Sequence, residues 1–335
     1  ENVKNLPAGG KLPSVRELLQ TYQIGRGLLE RVLTELEKNG LVERTPRLGI
    51  FSKLKESNFK HLIAFISPNW PSETNFSLHT ALAKAIAADG RFTYTHYNLS
   101  EPFFGQLSEK MGDILIVLPP SGLLSLNDLA YLKQLTVPAV LISRNMTDME
   151  GHYVNVFPEY GGMLAAEYLL RHGHRNLAVL FSEPHVADAV MRVNSFVHYA
   201  KLNNANVKII DCEIRNFENS ATKTYETLSG YLKKNPHPAF TGLFVISDAT
   251  AMGAMKALRE ADINVPDDMS VIGYDGISQG EFLHPPLTSI FNDNDQIATR
   301  LVSAIGSYVK GDIKNIRIDN EPGILIRKSV EKYPS

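Results

Sequence analysis

From residue 61 onward, short apolar runs alternate with longer amphipathic segments, and this alternation constrains the fold more than any other feature. The run Ile114–Val117 is apolar at every position, which is typical of a parallel strand that helices cover on both faces. The alternation predicts an α/β body built from doubly wound parallel sheets. We expect strands at 61–66, 113–118, 139–143, 176–181, 207–211, 242–247 and 270–274.

The body is too long for one usual sheet unit, since about 270 of the 335 residues follow residue 60. Two successive βαβ series, and therefore two lobes, are more plausible than one very wide sheet. Ligands of such sheets bind beyond the carboxyl ends of the strands, so we expect a ligand cleft there.

Residues 1–52 follow a different pattern, that of a winged helix-turn-helix domain. Ser14 is placed to cap a helix that runs to Tyr22, and Glu17 completes a capping box. After a turn at 24–27, a second helix carries apolar residues at helical spacing until Asn39-Gly40 ends it: Leu28, Leu29, Val32, Leu33 and Leu36. The runs 41–44 and 50–53 predict a β-hairpin, the wing. The polar residues 53–60 are interpreted as a linker, which leaves 61–335 as the sensing body.

The charge of the chain is unevenly distributed between these parts. Residues 1–60 hold 11 Lys and Arg against 7 Asp and Glu, whereas the remainder holds 23 against 29. A basic head on an acidic body suggests a polyanionic partner for the head alone, because Lys and Arg neutralise phosphates. Ordinary charge scatter is the alternative explanation on this observation alone.

The composition is that of a globular protein, with 44% hydrophobic and 21% charged residues. No run approaches the roughly 20 apolar residues of a membrane span, and no signal peptide is evident at the start, so we expect a cytoplasmic protein. The single Cys212 cannot form an internal disulfide and has no neighbouring cysteines for a zinc site. We interpret Cys212 as a buried structural thiol.

Enzyme motifs are missing from the sequence. Gly161-Gly162 lies at a predicted helix start without a G-x-G-x-x-G pattern or a P-loop lysine, and no G-x-S-x-G elbow is present. His172 and His174 flank a glycine in a turn and lack zinc-ligand spacing. We therefore expect no catalytic residue, no metal and no cofactor.

Two segments of the head, Lys11-Leu-Pro-Ser-Val-Arg-Glu-Leu and Ile24-Gly-Arg-Gly-Leu-Leu-Glu-Arg-Val-Leu, resemble the GntR family of winged-helix repressors. The resemblance implies that Arg16 and Arg26 contact DNA, and that Gly49, with Arg47 near it, belongs to the DNA-binding wing. An arginine at the start of a recognition helix can contact phosphate or guanine, and a glycine-bearing hairpin can approach the minor groove. A solvated helix face is the alternative for Arg16.

The body resembles the LacI/GalR sensor domains and the related periplasmic sugar-binding proteins. The resemblance rests on several segments, among them Val137-Pro-Ala-Val-Leu-Ile-Ser-Arg, Phe244-Val-Ile-Ser-Asp-Ala-Thr-Ala-Met-Gly-Ala and Val265-Pro-Asp-Asp-Met-Ser-Val-Ile-Gly-Tyr-Asp. It implies a two-lobed, periplasmic-binding-protein-like fold with lobe 1 at about 61–160 and 293–319 and lobe 2 at about 161–292 and 320–330. A GntR-type head on a LacI-type body resembles arabinose-repressor-like regulators.

The same resemblance implies a set of effector-binding residues drawn from both lobes: Asn69, Trp70, Phe76, Arg144, Arg192, Phe217, Asp248, Asp275 and Asn292. Arginine and carboxylate groups pair with adjacent hydroxyls, and aromatic faces cover C–H surface, so this set suits a sugar or sugar derivative. Alternatives are a structural ion pair for Arg192 and Asp275, core packing for Phe76 and Trp70, and helix capping for Asp248. Because Ser143, Ser195 and Ser247 depart from the sugar-binding pattern, a phosphorylated sugar or a non-sugar effector stays open.

Together these features predict a ligand-responsive DNA-binding transcription regulator, a repressor that works as a homodimer on operator DNA. The alternative from another class is a solute-binding protein of a transport system, which would have no use for a basic helix-turn-helix. An enzyme is the third and least favoured reading.

Overall fold

The computed structural model describes residues 10–46, 48–53, 60–69, 72–120, 124–143, 151–215 and 218–333. The chain divides into two compact units with a boundary between His61 and Leu62, apart from Arg91–Thr93, which group with the first unit. Each unit has its own hydrophobic core.

The first unit has two helices and a hairpin: α1 (Val15–Tyr22), α2 (Arg26–Lys38), β1 (Val42–Thr45) and β2 (Gly49–Ser52). Ser14 caps α1 and Glu17 closes the capping box, which confirms the predicted helix start. A strand segment that the sequence did not predict joins the hairpin, since Leu12 N–H donates to Ile50 at 2.8 Å and Ser52 N–H to Gly10 at 2.9 Å.

The apolar residues of α2 lie on two faces rather than one. Leu29 and Leu33 are buried, whereas Leu28 and Val32 are 46% and 44% exposed. Among the described residues, α1 and β1 pack against α2, and the core they form includes Leu29 and Leu33 but not the other pair. The helical period thus predicted the helix correctly, but Leu28 and Val32 do not contribute to the core of this unit.

The second unit contains helices α3 to α9, in chain order Glu73–Asp89, Leu126–Gln134, Pro158–Arg171, Ala187–Leu202, Ser220–Lys234, Asp248–Glu260 and Asn294–Lys310. Its strands β3 to β14 are His61–Pro68, Phe92–Leu99, Ile114–Val117, Ala139–Ser143, His152–Val156, Asn176–Phe181, Asn206–Asp211, Gly242–Val245, Ser270–Tyr274, Thr288–Phe291, Arg317–Asn320 and Gly323–Leu325. Three short 3-10 turns complete the described part of this unit.

These strands form two six-stranded sheets, one in each lobe. The first has the order β4-β3-β5-β6-β7-β13 and the second the order β9-β8-β10-β11-β12-β14. The pairs at the centre of both sheets are parallel, and β14 runs antiparallel to β12. The predicted α/β fold with two doubly wound lobes is therefore confirmed. Strand order reverses between β3 and β5 in the first lobe and between β8 and β10 in the second.

All seven predicted strands are present, and five further strands were not predicted: β4, β7, β12, β13 and β14. The sequence of β4, Phe-Thr-Tyr-Thr-His-Tyr-Asn-Leu, mixes polar and aromatic residues because β4 is an edge strand and is only partly buried. Such strands lack the continuous apolar run on which the prediction depended.

Glycines let two helix pairs of the second lobe pack at short range. A Cβ atom at Gly162 in α5 would overlap the carbonyl oxygen of Arg192 and the hydroxyl of Ser195 in α6, and one at Gly253 in α8 would overlap the carbonyl of Ala221 in α7. Gly162 lies near the start of α5, as expected, and its role there is close helix packing. It thereby fixes the backbone that carries Arg192.

The residues that were interpreted as structural do have structural contacts. Cys212 is 1% exposed, and burial raises the pKa of its thiol to about 11, as expected for a buried and inert thiol. His174 contacts the Thr241 hydroxyl at 2.9 Å and the Glu331 carbonyl at 3.1 Å. His172 contacts the carbonyl of Tyr168 at 2.8 Å.

Candidate functional site

The carboxyl ends of β8, β10 and β11 bring together an arginine and several polar groups of the second lobe. Arg192, on α6, donates from Nη1 to the carbonyl of Ile246 at 2.9 Å, and its guanidinium lies 3.6 Å from the ring centre of Tyr274. Its Nη1 is also 3.7 Å from Oδ1 of Asp275. These contacts hold the guanidinium in one orientation at the point where strand order reverses, which is where open α/β sheets bind ligands.

Asp275 follows β11 directly and has φ of 108°, a region that residues other than glycine rarely adopt. Strained backbone of this kind persists where the surrounding structure holds it and is concentrated at binding sites. Burial raises the pKa of the Asp275 carboxyl, while Arg192, the Ser247 hydroxyl, the Asp248 backbone N–H and the Thr74 hydroxyl act in the opposite direction. Thr74 belongs to α3 of the first lobe, so a neutral hydroxyl group of that lobe is close to Asp275 across the cleft.

Glu183 is a further carboxylate at the same edge, and the sequence analysis missed it. It is partly buried, lies two residues after the end of β8, and is close to the hydroxyl groups of Ser247 and Ser220, which act to lower its pKa. Burial and the nearby Asp275 raise its pKa to about 7. An ionisable residue immediately after an apolar strand next to the strand-order reversal was the signal that could have identified it.

The environment of Asp248 differs from the one expected of a residue that contacts the effector. Its side chain is buried, and its carboxylate accepts hydrogen bonds from the Ser289 hydroxyl at 2.7 Å and from the Ile277 N–H at 2.9 Å. It does not cap its own helix either, because Ser247 is the N-cap residue and no side-chain cap bond forms. Both oxygens are occupied in tying α8 to the loop after β11 and to β12.

The first lobe contributes Asn69 and Phe76 near the carboxyl end of its sheet. Phe76, in the first turn of α3, is 64% exposed, so the core-packing alternative does not apply to it. Asn69 is exposed and its amide contacts the Ser100 hydroxyl at 3.3 Å. Asn292 follows β12 and accepts from the Asn320 amide at 3.1 Å, which links two of the connections between the lobes. Trp70, Arg144, Phe217 and the wing residue Arg47 lie outside the described residues.

In the first unit, Arg16 and Arg26 are both exposed, the latter as the first residue of α2. Gly49 has φ of 126°, and a Cβ atom there would lie 2.8 Å from Cε of Lys11. The positive φ favours glycine at this position, and the end of the Lys11 side chain lies next to it at the base of the wing. Lys11, which pairs with Phe51 of β2, is a basic residue at the wing that the sequence analysis did not single out.

Other kinds of site receive no support from the part of the chain that the structure describes. Among these residues, no group of three or more His, Cys, Asp or Glu side chains could hold a metal ion. No helix within the described ranges is long and apolar enough to cross a membrane.

Comparison with known families identifies both parts of the chain. Residues 3–51 match the model of bacterial regulatory proteins of the gntR family, and residues 166–330 match a periplasmic binding protein-like domain. The combination of these two domain types that the motifs predicted is therefore confirmed.

Curated relatives include the HTH-type transcriptional repressor PurR of Pasteurella multocida, 31% identical over 173 residues, and that of Histophilus somni strain 2336, 33% identical over 173 residues. In both cases the match covers 51% of this chain and 50% of the relative. The chain thus spans about half the length of the curated relatives it matches.

Solved structures with a similar fold include a LacI family transcriptional regulator from Enterococcus faecium with bound ribose. It has a TM-score of 0.66 and 20% identity, and the match covers 82% of this chain and all of that one. The Escherichia coli transcriptional repressor ascG has a TM-score of 0.69 and 17% identity over 81% of this chain and all of that one. At these identities the likeness establishes the fold.

Proposed function

We propose that this chain, which joins a GntR-type winged helix-turn-helix domain to a periplasmic-binding-protein-like domain, is a ligand-responsive DNA-binding transcription regulator. It acts in the cytoplasm as a homodimeric repressor on operator DNA, and a small effector controls its affinity for that DNA. It is not an enzyme. The observation that carries the proposal is the pair of exposed arginines, Arg16 and Arg26, on a domain that matches a family of bacterial regulators.

The geometry of the first unit supports a DNA-binding surface formed by the start of α2 and the wing. Arg26 opens α2, the second helix of the helix-turn-helix, and side chains at that end of a recognition helix contact base edges in the major groove. Gly49 and Lys11 supply a wing that can approach phosphate or the minor groove. Arg44 is not part of this surface, because it binds Glu30 at 2.8 Å and Thr34 at 2.9 Å and so fixes the hairpin to α2.

The effector site is the cleft that contains Arg192 and Asp275. A guanidinium and a carboxylate whose geometry is fixed by neighbours can grip adjacent hydroxyl or amide groups of a small polar molecule. A sugar or sugar derivative fits this chemistry, and ribose is bound by a regulator of the same fold. The curated relatives are transcriptional repressors, which supports repression as the mode of action.

The test of the proposal is DNA binding by the double variant Arg16→Ala/Arg26→Ala. A duplex selected from a random pool by the wild-type protein serves as the probe. We expect the variant to lose more than tenfold in affinity and to show a weaker dependence on salt, because two phosphate or base contacts are gone.

Lys233→Ala/Lys234→Ala is the matched control, since it removes the same charge from an exposed helix end of the second unit. It should bind the duplex like wild type. Wild-type affinity in the arginine variant would mean that the DNA-binding surface lies elsewhere.

A further inference from the structure

We infer that Glu183 is an effector-contacting residue that makes the cleft selective for uncharged or cationic effectors and excludes phosphorylated ones. This inference rests on the proposed function, because it concerns the effector of the same cleft. The sequence motifs leave open whether the effector is phosphorylated, and the inference excludes phosphorylated compounds. Glu183 is not among the effector-binding residues that the family resemblance implies.

Glu183 is placed to contact a ligand by the topology of the second lobe. It follows β8, the strand on one side of the strand-order reversal, and the nearby Ser247 follows β10, the strand on the other side. A second nearby hydroxyl belongs to Ser220, the first residue of α7. A side chain bounded by these two helix starts and by Asp275 lies at the carboxyl edge of the sheet, where such folds bind ligands.

The charges at this edge decide which molecules can enter. Within the described part of the second lobe, Glu183 and Asp275 lie close enough to interact electrostatically, and Arg192 is the cation that interacts with both. Asp248 adds a third carboxyl behind them, buried and close enough to Asp275 for the two to repel. Arg327 interacts with Asp248 and not with the other two carboxyl groups, so at Glu183 and Asp275 the single guanidinium of Arg192 leaves no excess positive charge.

A phosphate group would be bound poorly in this arrangement. Phosphate sites are built from arginine clusters, lysines or free backbone N–H groups at helix starts. At the start of α8, by contrast, the backbone N–H of Asp248 lies close to the carboxyl group of Asp275, whose negative charge disfavours an anionic ligand there. One amino group of the guanidinium, Nη1, is also bonded to the carbonyl of Ile246, and the face of the guanidinium lies over the ring of Tyr274.

Donor groups on a ligand match the arrangement better. The carboxylates of Glu183 and Asp275 accept hydrogen bonds from hydroxyl, amide or ammonium groups, and the exposed ring of Phe76 can cover apolar C–H surface. A neutral polyol, a nucleoside or an amino sugar offers such donors without a negative charge.

The experiment compares matched pairs of compounds that differ by one phosphate. D-Ribose, D-fructose, D-glucosamine and adenosine are each tested beside their own phosphate ester, first by thermal shift and then by calorimetry at pH 8 on the whole protein. We expect at least one unphosphorylated compound to stabilise the protein and its ester to bind at least tenfold more weakly. Glu183→Gln should weaken the best compound at least tenfold and reduce the discrimination against its ester.

Glu226→Gln is the control, because it makes the same charge change on the exposed face of α7 and should leave both affinities unchanged. The inference is overturned if a phosphate ester is the better binder, if no unphosphorylated compound binds, or if Glu183→Gln binds like wild type. DNA binding measured on the same preparations separates this failure from failure of the proposed function, since a protein that still binds its selected duplex remains a DNA-binding regulator.

Discussion

The three carboxyl groups at the cleft edge of the second lobe, those of Glu183, Asp248 and Asp275, lie in different environments. Asp248 accepts hydrogen bonds from Ser289 and Ile277, Asp275 faces Arg192, and Glu183 lies near two hydroxyl groups and the charges of Asp275 and Arg192. Burial raises the pKa of Asp248 to about 8 and that of Glu183 to about 7. Ionising Glu183 at neutral pH therefore lowers the stability of the folded protein. Carboxyl groups with strongly shifted pKa values are concentrated at functional sites, which supports a role for Glu183 in binding.

The pH dependence of stability tests this cost. The unfolded chain releases the Glu183 proton from about pH 4.5 upward, whereas the raised pKa keeps this proton on the folded protein up to about pH 7. The stability that the protonated carboxyl group contributes is therefore full at low pH and is lost as the pH rises from about 4.5 to 7. Glu183→Gln removes the titration. We expect the variant to gain on the order of 2 kcal/mol relative to wild type between pH 5 and pH 8.

Urea unfolding of both proteins across this range measures the difference, and Glu226→Gln again serves as the control. A difference in stability that is constant with pH would mean that the Glu183 carboxyl titrates normally in the folded protein. The outcome is independent of any effector, so it checks the electrostatics of the cleft by itself.

At the residue scale, the sequence predicted the site residues that the family resemblance implies and few others. Arg192 and Asp275, both of which the family resemblance implied as effector-binding residues, lie 3.7 Å apart, and Phe76 is exposed. The environment of Asp248 was not predictable, because it depends on Ser289 and Ile277, which are 41 and 29 residues away in the chain. Glu183 is outside the motifs, and its surroundings appear only once the strands are adjacent.

At the scale of elements, periodicity predicted helices and buried strands, whereas the faces they present depend on tertiary neighbours. The second helix of the head was predicted nearly to the residue, yet two of its apolar side chains point to solvent. Edge strands such as β4 were missed because they are only partly buried on their faces. The close packing of α5 on α6 was not predicted either, because a pair of glycines within a helix is compatible with several structural roles.

The packing of α5 on α6 can be tested at Gly162. An added methyl group there would overlap the backbone of Arg192, which cannot move as a flexible side chain would. We expect Gly162→Ala to lower the free energy of unfolding by about 1–3 kcal/mol, as overpacking of a well-packed core does. Because the displaced backbone carries Arg192, the variant should also bind effector more weakly.

Gly230→Ala supplies the matched control, since this glycine lies in α7 with open space around its Cβ position. There alanine should stabilise the protein by up to about 1 kcal/mol through helix propensity. Equal effects at the two positions, measured by urea unfolding, would contradict the packing role assigned to Gly162.

At the scale of the whole molecule, the two lobes repeat one strand order, and the chain passes between them after β7, β12 and β13. Two of these connections are tied by the bond between Asn292 and Asn320. The expectation that a ligand binds beyond the carboxyl ends of the strands followed from the alternation of strands and helices, whereas the reversal points depend on the strand order that the structure shows. The connections themselves depend on which sheet a short strand such as β13 joins, and no local pattern indicates this.

The proposed regulator requires that effector binding and DNA binding influence each other, and thermodynamic linkage makes this influence reciprocal. If saturating effector changes the affinity for the selected duplex by some factor, the duplex must change the affinity for effector by the same factor; couplings of about 1–3 kcal/mol are usual. The predicted linker at 53–60 connects the two units along the chain, and we propose that the coupling passes through it. We expect that adding ten Gly and Ser residues within this segment leaves each affinity near its wild-type value and brings the coupling factor close to one, because a flexible linker transmits no orientation.

The same insertion after Pro236, in an exposed turn that follows α7, should leave the coupling intact. Titrations of duplex with and without effector, and of effector with and without duplex, give the factor twice for each protein. An unchanged factor in the lengthened protein would show that the coupling does not pass through this segment, whereas unequal factors in wild type would show that the two ligands are not in equilibrium with one protein state.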